Sequence, residues 1–184
     1  MIELSSIWKP ETQQQLFRAL LNAMSRPGSL ESSPPPAEGE AIGLPMLAVL
    51  VDAAVSLADP HQLLQKNDWL LLQTIEKHAD TADYILCNGN LVPEFSPKCG
   101  TLTCPEQSAT LIISVNGLNS GTTRLQLKGP GIAESTNLLV DGLVPSWLQA
   151  RQDWVCEFPL GVDLILVSGT QFAAIPRTTK VEVL

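Results

Sequence analysis

Two segments of this chain carry side chains and turns suited to holding an anion. Arg177, Thr178 and Thr179 follow Pro176 at the end of an apolar run. A guanidinium and two hydroxyls therefore emerge where a sheet should stop, because proline gives no amide to a ladder. An ordinary strand end has the same composition, so both readings stand. The second segment is Lys128-Gly129-Pro130-Gly131-Ile132, directly after Arg124-Leu125-Gln126-Leu127. A glycine turn at that point lets backbone amides approach a phosphate. The third glycine of a dinucleotide fingerprint is missing, with Glu134 in its place, and no Gly-Lys-Ser or Gly-Lys-Thr triplet occurs. A tight structural turn explains the same residues.

Other chemistry has little support. There is no Gly-x-Ser-x-Gly elbow for a nucleophilic serine. Six lysines occur, and none, Lys98 in its Ser96–Cys99 loop included, has the setting of a desolvated Schiff-base amine. His61 after Asp59-Pro60, and His78 between Lys77 and Asp80, both read as solvated. Cys87, Cys99, Cys104 and Cys156 form no Cys-x-x-Cys pair, so a zinc or iron site has poor prospects and thiols in a reducing compartment are expected.

Composition bounds the partners. A net charge of −8 argues against nucleic acid and anionic membranes, which need basic surface, while a few local arginines can still take a small anion. With 45% hydrophobic and 16% charged residues, the chain has apolar surface to spare for an oligomer or a larger complex. Its 184 residues suit one domain. The first six residues lack the pattern of a secretory signal, and the longest apolar stretch is too short to span a bilayer, so a cytoplasmic location is expected.

The elements that must position these groups are α and β mixed along the whole length, which predicts an α/β fold with a central mixed sheet flanked by helices. Thr12 and Gln15 suggest a capping box, and Leu16, Phe17, Leu20, Leu21 and Met24 one apolar helix stripe ending at Ser25-Arg26-Pro27-Gly28. Residues 31–41, rich in proline, serine and glutamate, read as an exposed loop. Leu44 to Leu57 reads as one buried helix, which leaves Asp52 either paired in the core or on its wet side. A short helix is expected over Asp68–His78 and a buried strand over Tyr84–Cys87. Residues 93–105 read as loop, and Ala109–Val115 and Arg124–Leu127 as strands joined by a hairpin loop at Gly117–Gly121. Trp147–Trp154 reads as a surface helix. Leu164–Val167 should be a strand buried on both sides, a turn at Ser168-Gly169-Thr170 leading into Phe172–Ile175.

Three blocks in this order carry a resemblance. They are Phe17–Gly28, Leu127–Ile132, and Phe158–Asp163 taken with Ile175–Thr179. Together they resemble the PhnH family, the H subunits of the bacterial carbon–phosphorus lyase core complex. The resemblance implies a fold similar to the large domain of pyridoxal-phosphate-dependent transferases, without the cofactor or its lysine. It implies a homodimer that associates with G, I and J subunits. The G, H and I subunits would support transfer of phosphonate to the ribose C1 of ATP, displacing adenine. Two roles stay open, an interaction subunit or a phosphate- or nucleotide-binding one. In the second, Arg26, Gly129, Gly131, Arg177, Thr178 and Thr179 are the candidate ligands.

Overall fold

The computed structural model describes residues 6–155 and 157–184; the readings placed on residues 1–5 and on Cys156 lie outside the described residues. The strands in chain order are β1 (Glu31–Ser32), β2 (Ser56–Ala58), β3 (Ile75–Glu76), β4 (Tyr84–Asn88) and β5 (Thr110–Ser114). They continue with β6 (Gly117–Lys128), β7 (Thr136–Asp141), β8 (Asp163–Ser168), β9 (Gln171–Ile175) and β10 (Lys180–Val183). The helices are α1 (Pro10–Ser25), α2 (Leu44–Leu50), α3 (Lys66–Leu72) and α4 (Pro145–Trp154).

A seven-stranded mixed sheet in the order β1-β9-β8-β5-β4-β2-β3 forms the frame. β3, β2, β4, β5 and β8 run parallel; beyond β8, β9 returns antiparallel, and β1 pairs antiparallel to β9 and so runs with the parallel strands again. The central strands are apolar throughout because both faces are covered. Leu111, Ile113, Leu164 and Leu166 face a layer made by α4 and a small antiparallel sheet, β10-β6-β7. Ile112, Ile165 and Val167, their neighbours in the pleat, face α1, α2 and the end of α3. The expected α/β fold with a mixed sheet is present, and the strand–turn–strand reading of residues 164–175 matches β8 and β9.

Several boundaries differ, each for a physical reason. α1 starts at Pro10 with Lys9 in the cap position and no side-chain cap, so Thr12 and Gln15 lie inside the helix and form no capping box. Its buried stripe is Leu16, Leu20 and Ala23, whereas Phe17 and Leu21 are 45% and 53% exposed. Glu31–Ser32, read as loop, pairs with Phe172 and Gln171 as the sheet's margin. Leu44–Leu57 is not one helix. α2 stops at Leu50, and the chain turns into β2, so two short buried elements in series mimic one long apolar helix. Asp52 sits exposed in that turn, where its Oδ1 accepts from the Ala54 amide at 2.8 Å. The helix read to His78 ends at Leu72, since Gln73 is left-handed (φ 53°) and Ile75–Glu76 joins the sheet beside β2. Gly117–Gly121 is no hairpin loop. β5 is already paired on both sides, so this segment opens β6 and carries a bulge between Leu118 and Thr123 against β7. α4 is deeper than a surface helix, with Trp147, Leu148 and Arg151 buried.

The amino edge of the parallel strands is tied by Asp83. Its carboxylate accepts from the Ser56 amide and hydroxyl and pairs with Lys98, tying the 93–105 loop to the sheet. Burial pushes its pKa up, but the hydrogen bonds from Lys98 and Ser56 outweigh this and hold it at about 2, below the ordinary 3.8. A depressed folded-state pKa gives stability that is present above pH 3.8 and lost as pH falls towards 2. Lys98→Met should therefore be less stable than the parent in urea at neutral pH, the gap closing as Asp83 protonates. A gap that persists in acid would assign the loss to packing of the lysine stem instead.

Candidate functional site

The sequence-predicted residues come together at one place. β8 begins at Asp163 and Leu164 pairs with Ile175, so Pro176–Thr179 lies at the amino edge of the parallel strands. Gly129 has a φ of 147° and packs against this turn: a Cβ there would stand 2.9 Å from the Thr178 carbonyl oxygen. Gly131 has a φ of 81° and meets the end of α1, where a Cβ would stand 2.1 Å from the Ser25 carbonyl oxygen. Gly28, at a φ of 84°, packs on Leu127 and donates its amide to Ala174 at 3.3 Å. The three blocks of sequence are one spatial cluster, built on close backbone approach that only glycine permits.

The side chains in this cluster divide into two groups. Arg26 and Thr178 are exposed. Arg177 and Thr179 are engaged or covered. Arg177 Nη2 donates to Asp163 Oδ2 at 2.6 Å and Nε to Oδ1 at 3.3 Å, while Nη1 reaches the Pro105 carbonyl at 2.7 Å. Its own amide also donates to Asp163 Oδ1 at 2.7 Å. Thr179 is 2% exposed. Beneath it, Arg151 from α4 is buried and donates Nη2 to the carbonyls of Pro176 and Thr179, both at 2.9 Å. Burial lowers its pKa to about 10, against the nearby Asp163 charge that raises it, so it stays cationic at neutral pH. Arg151 passed unremarked in the sequence. The available signal was a lone arginine between Trp147 and Trp154 on a helix with apolar neighbours.

A large cavity lies at the opposite edge. β2 and β4 are neighbours, but the chain leaves β2 for the marginal β3 and leaves β4 for the central β5. Connections diverging from adjacent parallel strands open a crevice at their carboxyl ends, the usual ligand position in an open α/β sheet. A cleft of about 1080 Å³ occurs there, lined by the segments after β2, β3 and β4. His61 lines it, and its Nδ1 accepts the Asn88 amide at 2.9 Å, which leaves the proton of the neutral ring on Nε2. Burial lowers its pKa despite the opposing charges of Asp59 and Glu94. His61 is therefore half-buried and fixed, not solvated; His78 is exposed as expected. Reading Leu44–Leu57 as one helix hid the strand Ser56–Ala58 and with it the fact that Asp59-Pro60-His61 follows a strand end.

An aromatic wall supports this cleft. Trp147 lies edge-on to His61 at 6.5 Å and donates its indole N–H to the Leu91 carbonyl at 2.8 Å. Phe95 stacks on Trp154 at 6.1 Å. A smaller cavity of about 280 Å³ beside it is lined by Asn88, Asn90, Ser114 and Asn116 at the ends of β4 and β5. Among the described residues no three His, Cys, Asp or Glu side chains gather as a metal site. No helix among them is long and apolar enough to cross a membrane. Cys87 is buried, which pushes its thiol pKa up and leaves it unreactive at neutral pH.

Known proteins are similar to this chain over nearly its whole length. Residues 6–182 match the family described as bacterial phosphonate metabolism protein (PhnH). HtxG of Stutzerimonas stutzeri, named as a C-P lyase subunit, is 42% identical over 176 residues, covering 95% of this chain and 88% of HtxG. The alpha-D-ribose 1-methylphosphonate 5-triphosphate synthase subunit PhnH of Rhizobium meliloti is 31% identical over 180 residues, covering 92% of this chain and 90% of its own. The chain belongs to the PhnH family of bacterial phosphonate metabolism proteins.

Proposed function

We propose that this chain is the H-type subunit of a cytoplasmic carbon–phosphorus lyase system in phosphonate catabolism. With G and I subunits it supports transfer of a phosphonate to the ribose C1 of ATP with release of adenine, forming a ribose 1-phosphonate 5-triphosphate. A J subunit acts later on the carbon–phosphorus bond. The observation that carries this reading is near full-length likeness to a relative named as a subunit of a ribose 1-methylphosphonate 5-triphosphate synthase. The protein acts as a single domain and a homodimer that needs no pyridoxal phosphate, on a fold akin to that cofactor's transferases. Exposed Phe17 and Leu21 on α1 supply apolar surface for such contacts.

A second reading has its own support. Arg26 and Thr178 are exposed where the three family blocks converge, with Gly129 and Gly131 beside them. There a phosphate or nucleotide would meet Arg26, Thr178 and the glycine turn, with Arg177 and Thr179 shaping the turn from behind. One set of experiments separates the two. The chain is expressed with and without its G, I and J subunits, and each preparation is sedimented and titrated with ATP. The interaction reading expects a dimer that joins the complex and binds ATP only in it. ATP binding by the isolated chain, lost in Arg26→Ala, would favour the second reading. Failure to join the complex would overturn the first.

A further inference from the structure

The carboxyl-edge cleft has a shape and a charge that the transfer reaction does not account for. Its volume of about 1080 Å³ lies just above the range of about 300–1,000 Å³ usual for small-molecule pockets. One side is apolar, with Leu91 and Val92 46% and 54% exposed beside Phe95. The lining carries the carboxylates of Asp59, Glu76, Asp80 and Glu94 against the single amine of Lys77. Asp59 spends its oxygens on the amides of Leu63 and Leu64, and Asp80 accepts from Ser96. Glu76 and Glu94 are exposed, and among the described residues neither carboxylate accepts a hydrogen bond. Such a lining repels a triphosphate or a phosphonate and attracts a cation.

We infer that this cleft is a docking groove for a basic segment of a partner subunit, an arginine or lysine flanked by an apolar side chain. The cation lies among Glu76, Asp80 and Glu94, and the apolar neighbour covers Leu91 and Val92, exposed surface that association removes from water. An arginine suits it best, since its planar fork pairs with carboxylates in a bidentate way. His61 offers the segment's backbone one fixed donor, its Nε2–H. The inference rests on the subunit reading above.

The test uses Glu76→Lys/Glu94→Lys in the full chain, co-expressed with the G, I and J subunits. Both residues are exposed, so the variant should melt with the parent. Its association should weaken by at least about tenfold, because like charges then face each other across the contact. Leu91→Ser/Val92→Ser should weaken association too, with a loss that added salt does not change. Parental association by the charge-reversed chain would overturn the groove and leave the subunit reading intact. Failure of the parent itself to associate would overturn both. Loss of the homodimer with partner binding kept would assign the groove to a second copy and refute a basic partner segment.

Discussion

Replacing Gly131 by alanine lowers the thermal midpoint sharply, although the change adds one methyl group at a surface turn. Two costs combine. The backbone stands at a φ of 81°, which an L side chain adopts at a cost of about 1–2 kcal/mol. The new Cβ would also stand 2.1 Å from the Ser25 carbonyl oxygen, main chain that no rotamer change can move. Relieving this contact means parting the 128–132 turn from the end of α1, an overpacking cost of about 1–3 kcal/mol. Together these give about 3 kcal/mol, or about 6–12 °C for a chain of this size. Gly169→Ala is the control, because its φ of 55° is also positive but nothing lies within 4 Å. It should lose only the backbone part. Equal melting of the two variants by circular dichroism would mean that the turn and α1 are not in contact.

That contact also shows how the sequence encodes the cluster and where reading it stops. Gly28, Gly129 and Gly131 could each be taken as local turn formers. Their reason lies in other segments, since Gly28 packs on Leu127, Gly129 on Thr178 and Gly131 on Ser25. Spacing within one block cannot reveal a backbone approached from another. The buried strands β4, β5 and β8 were legible because they are short apolar runs with no polar face, bounded by turn-forming residues. β2 was not, because a three-residue strand behind a seven-residue apolar helix has no period of its own. With β2 lost, the carboxyl-edge cleft and the fixed His61 were lost as well. β7 and β10 escaped notice because each covers the core with one face only; in β7, Leu138 and Val140 carry that burial.

Arg177→Ala should lower stability by about 3 kcal/mol, near the lower end for breaking a buried ion pair. The pair with Asp163 is mostly shielded, its side chains 18% and 14% exposed, so solvent screening removes little of the effect. Removing the guanidinium also leaves the Pro105 carbonyl without its 2.7 Å donor and frees the 105–107 turn from the sheet edge. Arg177→Lys should recover only part of the loss, since one ammonium cannot serve two carboxylate oxygens and a carbonyl in the same plane. Asp163→Ala should cost at least as much, because the Arg177 amide loses its acceptor at 2.7 Å along with the side chain. In a double-mutant cycle the two losses should be strongly non-additive, the pair deletion costing little more than either single change. Growth on a phosphonate as sole phosphorus source should fall with the melting temperature across the series. A stable Arg177→Ala protein that no longer supports growth would show instead that the guanidinium acts on a ligand or partner. Additive losses in the cycle would show that the ion pair does not hold the turn.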